Sequence, residues 1–178
     1  DIFERASRMF DELVVGVFHN IRKIGDTLTE GEQLHFRGLP SFSPELFKYI
    51  ENDDPMKAKQ FQKGLEQLMN EGVAQLFINQ FNNRKIVGTV GQLQFEVIQY
   101  RLEHEYNAKC RWEPVHLHKA CWIEAENAEA LENFKKRKYQ YMAKDTEGRD
   151  VFLADSGYVL SMAQQDFEDI KFHFTSEF

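Results

Sequence analysis

The chain has 178 residues, of which 42% are hydrophobic and 13% aromatic. This size and apolar content predict one compact domain, or one domain with a fragment of another, and exclude an intrinsically disordered chain. The formal net charge of −7 excludes broad, non-specific nucleic-acid binding, which needs a basic surface. Any RNA contact must therefore come from local patches.

The first forty residues predict short strands. Residues 13–18 form an apolar run, residues 24–27 end a strand in a Gly-Asp turn, and residues 34–37 alternate. A few strands leave open edges and cannot close a barrel or sandwich alone. We therefore interpret residues 1–38 as the remnant of a β domain, and residues 39–178 as a C-terminal domain.

From Ser41 onwards, strand and helix patterns alternate. Asp54 and Pro55 predict a helix start, because Asp caps free backbone N–H groups and Pro fits the first helical position; Gly72 fits the C-terminal cap. The predicted strands are 42–50, 73–81, 85–90 and 108–115, and the predicted helices are 54–72 and 93–107. This β-α-β-β-α-β order is the split βαβ arrangement of ferredoxin-like folds.

A second series of elements follows. It comprises a strand at 117–125, a helix from Asn127 to about 142, a strand at 151–154, a helix at 158–167 and a strand at 170–174. It predicts a βαβ-type extension within one two-layer α+β domain, and we find no convincing internal repeat. The predicted core includes Phe61, Leu65, Leu93, Ile98, Trp112 and Phe134.

Several segments resemble translational GTPases. Residues 24–28 (IGDTL) resemble the end of the β-barrel domain that follows the G domain, and residues 88–97 (GTVGQLQFEV) resemble a segment in the third domain of elongation factor G. Residues 39–47 (LPSFSPELF) and 102–107 (LEHEYN) are closer to bacterial class-II peptide chain release factors. That family normally has turns before Val14 and after Asn20 that this sequence lacks, so we expect loops to be missing there.

The resemblance implies the C-terminal part of a GTP-driven factor that removes class-I release factors from the ribosome after the peptide is freed. It implies a monomeric, cytoplasmic factor whose partners are small-subunit RNA and proteins. We expect GTP or GDP and magnesium in a G domain that this sequence lacks, since it has neither a G-x-x-x-x-G-K-[ST] loop nor an Asn-Lys-x-Asp motif. We therefore expect no enzyme activity and no cofactor in this part.

Polar and basic residues at two places are candidates for ribosome contact: Lys59, Lys63, Asn82, Asn83, Arg84 and Lys85. The first two lie four residues apart and share a helix stripe. The other four form a predicted β-turn tip, where a basic loop can touch a phosphate. Taken singly, each residue is also explained as ordinary solvated surface. The run 135–138 wraps around its helix and is the next candidate.

Four potential metal ligands lie close together in the sequence: Cys110, His116, His118 and Cys121. Structural zinc sites usually have paired, closely spaced ligands, and both cysteines fall on predicted core strands, so core packing is favoured over metal. Two cysteines give no disulfide framework and favour a reducing cytoplasm. No Ser or Cys nucleophile lies in a catalytic context. The alternative function is a free-standing ferredoxin-like regulatory domain that binds a small metabolite.

Overall fold

The computed structural model describes residues 43–176, so the predicted β-domain remnant (1–38) lies outside the described residues. The strands are β1 (Leu46–Asn52), β2 (Gln75–Asn79), β3 (Lys85–Thr89), β4 (Cys110–Pro114), β5 (Lys119–Ala125), β6 (Met142–Asp145), β7 (Asp150–Ala154) and β8 (Ile170–His173). The α-helices are α1 (Ala58–Asn70), α2 (Leu93–Tyr106), α3 (Ala128–Arg137) and α4 (Gly157–Asp166). Short 3₁₀ turns lie at Pro55–Lys57 and Tyr139–Tyr141.

The eight strands form one antiparallel sheet in the order β4-β1-β3-β2-β6-β7-β5-β8. The first four strands, with α1 and α2, have the ferredoxin-like topology predicted from the sequence. The second four strands, with α3 and α4, repeat this arrangement. Their order along the chain is again β-α-β-β-α-β, and their order across the sheet, read from the other edge as β8-β5-β7-β6, matches β4-β1-β3-β2. The two units meet at β2 and β6, where Phe77 pairs with Asp145 and Asn79 with Ala143. The predicted extension is therefore a second ferredoxin-like unit, which the sequence did not reveal as a repeat.

The repeat is not visible in the sequence because the pattern predicts a helix running to about residue 142 and no strand between that residue and 151. In the structure α3 ends at Arg137, a 3₁₀ turn follows, and Met142 begins the strand. The four residues of β6 include no β-branched or aromatic residue, so their local preference for a strand is weak. The strand forms because it pairs on one side with β2 and on the other with β7.

Each face of the sheet is covered by its own set of apolar side chains. On one face, Phe61 and Leu65 of α1 and Ile98 of α2 pack over the first unit. On the same face, α3 and α4 pack over the second unit around Phe134, whose ring lies 4.9 Å from that of Phe167. Against the other face, called the helix-free face here, no helix of residues 43–176 packs; it holds a cluster drawn from both units: Phe47, Phe77, Ile86, Ala120, Trp122, Ala143, Val151 and Leu153.

The sheet curls towards its helix-free face. Residues 115–118 connect β4 to β5 across six strand spacings, which would be about 29 Å in a flat sheet. The extended chain from Pro114 to Lys119 spans at most about 18 Å. Val115 and Leu117 of this connection pack against the helix-free cluster. Ser43, just before β1, also contacts the second unit, because its N donates to Phe174 O (2.8 Å) and its Oγ accepts from Ala120 N (3.2 Å).

Most of the predicted core is buried, with one clear error. Phe61, Leu65, Ile98 and Phe134 are buried. Trp112 is partly buried against Phe95. Leu93 was placed wrongly: 68% of its surface is exposed. The helix α2 has apolar residues on two sides, and only the side with Phe95, Ile98 and Leu102 faces the sheet.

Within residues 43–176, no helix combines the length and apolar character that crossing a membrane requires.

Candidate functional site

The structure places Lys59 and Lys63 together on the exposed side of α1, as the spacing predicted. The chain enters this helix through the turn at Pro55–Lys57, where Asp54 Oδ1 accepts a hydrogen bond from Met56 N at 3.0 Å. Among the described residues, no carboxylate forms an ion pair with either lysine. Both positive charges are therefore available to an anionic partner.

Asn82 and Asn83 lie exposed at the tip of the β2–β3 hairpin. The buried side chain of Asn79 organises this tip, because its Oδ1 accepts from Phe81 N (2.8 Å) and Asn82 N (3.3 Å). Asn83 adopts a left-handed conformation with φ of 56°, which Asn tolerates better than most residues. The two amide side chains are thus presented on a turn whose backbone is fixed.

Arg84 has compensated charge and lies below the tip. Its Nη2 lies 2.7 Å from Glu51 Oε1 and also pairs with Glu113, while its guanidinium stacks 3.7 Å from the Tyr49 ring centroid. Burial disfavours the charge, but the two carboxylates outweigh it and raise the pKa of Arg84. Lys85 is half-buried, with Nζ 6.0 Å from the Phe61 ring centroid. The four predicted tip residues therefore separate into two exposed amides and two partly covered cations.

An exposed aromatic pair beside the tip was missed from the sequence. Phe81 is 64% exposed and Tyr139 is 49% exposed, with ring centroids 6.0 Å apart. Tyr139 Oη donates to Gln80 O at 2.7 Å, which joins the hairpin of the first unit to the 3₁₀ turn of the second. The apolar pattern of residues 73–81 predicts that Phe81 ends a core strand. Its position between Asn79 and two further asparagines was the available sign that it belongs to a turn.

The basic run 135–138 is spread around the end of α3. Lys135 pairs with Glu132 at 2.9 Å and Asp150 at 3.3 Å. Arg137 and Lys138 both lie 5.9 Å from the ring centroid of Phe167. Lys136 is exposed. The run therefore does not form one basic face.

Cys110 and Cys121 are buried in different clusters, one under each pair of helices. Burial raises the pKa of each thiol to about 12. Their packing as small core residues agrees with the sequence interpretation. Across residues 43–176, no three His, Cys, Asp or Glu side chains are grouped as metal ligands would be.

Comparison with known proteins identifies the family. Residues 36–164 match the family model described as "Class II release factor RF3, C-terminal domain". A solved structure from Thermus thermophilus, titled as that of the protein ttk003000868, is 15% identical, with a TM-score of 0.41 over 56% of this chain and 17% of that one. The matched part is thus less than a fifth of that chain's length. The family match covers more than half of the sequence, from before β1 into α4, and the chain therefore belongs to the family of class II release factor RF3 C-terminal domains.

Proposed function

We propose that this domain is the ribosome-contacting C-terminal module of a GTP-dependent translation termination factor that promotes removal of class-I release factors. The observation that carries the proposal is the family match over residues 36–164. GTP binding and hydrolysis, with magnesium, are assigned to the G domain of the whole factor, because these 178 residues contain no phosphate-binding loop. The factor would act in the cytoplasm as a monomer, with small-subunit RNA and proteins as its partners.

The Lys59/Lys63 stripe is the best candidate for contact with RNA. Contact with phosphate requires cations whose charge is not already compensated, and both lysines meet that requirement. Arg84 fits it less well, because Glu51 and Glu113 hold its guanidinium. At the hairpin tip, Asn82 and Asn83 can hydrogen-bond sugar or phosphate oxygens without carrying charge. We therefore place the electrostatic contact on α1 and the positioning contact at the tip.

The alternative of a metabolite-binding regulatory domain has weaker support. Among the described residues, an open cleft beside α3 is lined by polar and charged side chains: Asn127, Glu129, Glu132, Asn133, Lys136 and Asp169. Metabolite sites are usually more enclosed and mostly apolar, with a few convergent polar groups. The open, charged character of this cleft therefore gives the metabolite alternative no support.

The test is ribosome binding of the full-length factor across a salt series. The change Lys59→Ala/Lys63→Ala should lower the slope of log affinity against log salt by about two, one for each lost phosphate contact. The matched control Lys109→Ala/Lys171→Ala removes the same charge from exposed positions elsewhere and should leave the slope unchanged. An unchanged slope in the α1 variant would refute docking through this stripe. Failure of the wild-type factor to bind ribosomes even at low salt would refute the function itself.

The hairpin tip requires a separate variant that keeps its backbone intact. Asn82→Ser/Asn83→Gly removes both amides, while the serine hydroxyl can still accept from Arg84 N as Asn82 Oδ1 does (3.0 Å) and glycine accepts the positive φ at position 83. We expect weaker ribosome binding with an unchanged salt slope, because the lost groups are neutral. Binding equal to wild type would show that the tip is ordinary solvated surface. Intact binding with impaired displacement of class-I factors would show that the tip acts in displacement and does not contribute to docking.

A further inference from the structure

The outer side of α2 carries an apolar stripe that faces solvent. Val90, three residues before the helix, is 68% exposed; on the helix itself, Leu93 is 68% exposed, Val97 41% and Tyr100 61%. His104 extends the stripe, because its ring stacks on Tyr100 with centroids 3.9 Å apart and planes 20° apart. Contiguous apolar surface of this kind marks interaction sites more often than scattered single residues do.

The spacing of the stripe is that of a coiled-coil seam. On α2, residues 93, 97, 100 and 104 alternate steps of four and three, which are the d, a, d and a positions of a heptad, and Val90 lies one further step of three before the helix begins. Glu96 and Glu103 then occupy the two g positions beside the seam. Neither carboxylate forms an ion pair with any residue in the range 43–176. A helix that packs on this face would find two uncompensated negative charges along one edge.

The opposite edge of the stripe is already occupied. Gln94 accepts from Val90 N (2.8 Å) and Gly91 N (2.9 Å) and donates to Val73 O (2.9 Å). Arg101 pairs with Glu71 at 2.5 Å and with Glu105 at 2.7 Å. These carboxylates leave that edge with no net positive charge. The whole face is therefore apolar along its centre and acidic at its border.

The second ferredoxin-like unit shows that the fold does not require this stripe to be continuous. Counting from the ends of β3 and β7, α4 places Leu160 and Ala163 where α2 has Phe95 and Ile98, and all four are buried. The outer positions differ in part: Tyr158 and Met162 stand where α2 has Leu93 and Val97, but Gln165 stands where α2 has Tyr100. Asp155 likewise stands where the first unit has Val90. The apolar seam is thus continuous along α2 and interrupted on α4.

We propose that the outer face of α2 docks an amphipathic helix of a partner protein, with apolar residues along the seam and Lys or Arg opposite Glu96 and Glu103. Complementary charges at these positions select partners in coiled coils. RNA fits poorly, because the border repels phosphate. A second copy also fits poorly: antiparallel pairing would align the glutamates of both copies along one edge, and parallel pairing would set them against the occupied Gln94 and Arg101. This inference does not depend on the ribosome-contacting role.

The test uses the full chain and two designed three-heptad peptides, both with leucine at a and d. One carries lysine at e and g, and the other carries glutamate there. We expect the lysine peptide to bind at least about four-fold tighter, because Glu96 and Glu103 form two attractive pairs with it and two repulsive pairs with the glutamate peptide. Leu93→Gln/Val97→Gln should weaken its binding at least ten-fold. The control Met56→Gln/Tyr158→Gln removes two exposed apolar side chains elsewhere and should leave binding unchanged.

A second pair of variants tests the charge preference. Glu96→Gln/Glu103→Gln should bring the two peptides to within about two-fold of each other, whereas Glu45→Gln/Glu168→Gln should keep the preference. The proposal is overturned if neither peptide binds, or if the preference survives in Glu96→Gln/Glu103→Gln. It is also overturned if Leu93→Gln/Val97→Gln abolishes a dimer seen by sedimentation or the binding of a single-stranded RNA oligonucleotide. Ribosome binding through Lys59 and Lys63 is measured separately, so the two proposals can fail independently.

Discussion

Removing the carboxylate of Asp145 should be among the most destabilising single changes in the domain. This buried residue lies at the end of β6 on the helix-free face. Its Oδ2 accepts from Trp122 Nε1 (2.9 Å) and Arg149 Nε (2.7 Å). Its Oδ1 accepts from Glu147 N and Arg149 N, both at 2.9 Å, and so fixes the turn between β6 and β7. One side chain thus links the helix-free core, an ion pair and a hairpin.

The magnitude follows from what Asp145→Ala leaves behind. The Trp122 indole N–H is buried and would lose its acceptor, at a cost of about 1–3 kcal/mol. The ion pair contributes less than a fully buried pair, since the side chain of Arg149 is 33% exposed. The lost turn bonds add about 1 kcal/mol. We expect a total loss of about 3–4 kcal/mol in the free energy of unfolding.

The measurement is urea unfolding, with a double-mutant cycle between Asp145→Ala and Trp122→Phe. Because Trp122→Phe removes the indole donor, Asp145→Ala should cost at least about 1 kcal/mol less in that background. Asn79→Ala is the matched comparison, since Asn79 occupies the corresponding strand end in the first unit and organises its hairpin, but does not hold an indole or an ion pair. It should cost only about 1–2 kcal/mol. Additive effects in the cycle, or an Asp145→Ala cost below that of Asn79→Ala, would refute the reasoning.

The same carboxylate predicts a pH dependence. Burial would raise the pKa of Asp145, but hydrogen bonds from Trp122 and Arg149 outweigh it, so the pKa is lowered in the folded state. The stabilisation is therefore fully present above the unfolded pKa of about 3.9 and is lost as the pH falls through the folded value. Below about pH 4, stability should fall more steeply in the wild type than in Asp145→Asn. Parallel stability curves in acid would contradict this.

Three further predictions follow from packing. Gly64→Ala should lower the free energy of unfolding by about 1–3 kcal/mol, because the added Cβ would lie 2.6 Å from Tyr106 Cγ and 2.8 Å from Leu102 Cδ2. An unchanged free energy would show that α1 and α2 can move apart. Phe61→Ala should lower the free energy of unfolding by about 3–5 kcal/mol, because Phe61 is buried. Leu93→Ala should lower it by less than about 0.5 kcal/mol, because Leu93 is exposed. Equal losses in the two variants would contradict this difference in burial. Burial raises the pKa values of Cys110 and Cys121 to about 12, so both thiols should react slowly with a disulfide reagent. At pH 8 the reaction should be at least about 100-fold slower in the folded protein than in urea. Fast reaction of the folded protein would mean that the structure opens locally.

The first ferredoxin-like unit could be predicted from the sequence because its local patterns agree with its final structure. Asp54, Pro55 and Gly72 mark the limits of the first helix, and the apolar periods of strands and helices change where the elements do. The second unit could not be completed, because β6 is a strand only through its two neighbours. Such a tertiary effect leaves little trace in four residues.

The candidate sites divide in the same way. The stripe of Lys59 and Lys63 needed only helical spacing, which the sequence contains. The pairing of Arg84 with Glu51 and Glu113 joins three strands distant in sequence, so no local pattern could show that its charge is compensated. Leu93 was misplaced for a related reason. An apolar residue on a helix shows that a surface is to be covered, but not whether the same chain or another protein covers it.

The helix-free face explains why the two units must fold together. Phe77 of the first unit lies 6.4 Å from Phe47 and 6.3 Å from Trp122 of the second, measured between ring centroids. Separating the units would expose this apolar cluster to water. It would also leave β2 and β6 each without a partner on one side, and both effects cost free energy. The side chain of Asp145 lies at that junction, opposite Phe77 in the ladder. A defect there should therefore lower the stability of both units in one cooperative transition and should not unfold the second unit alone.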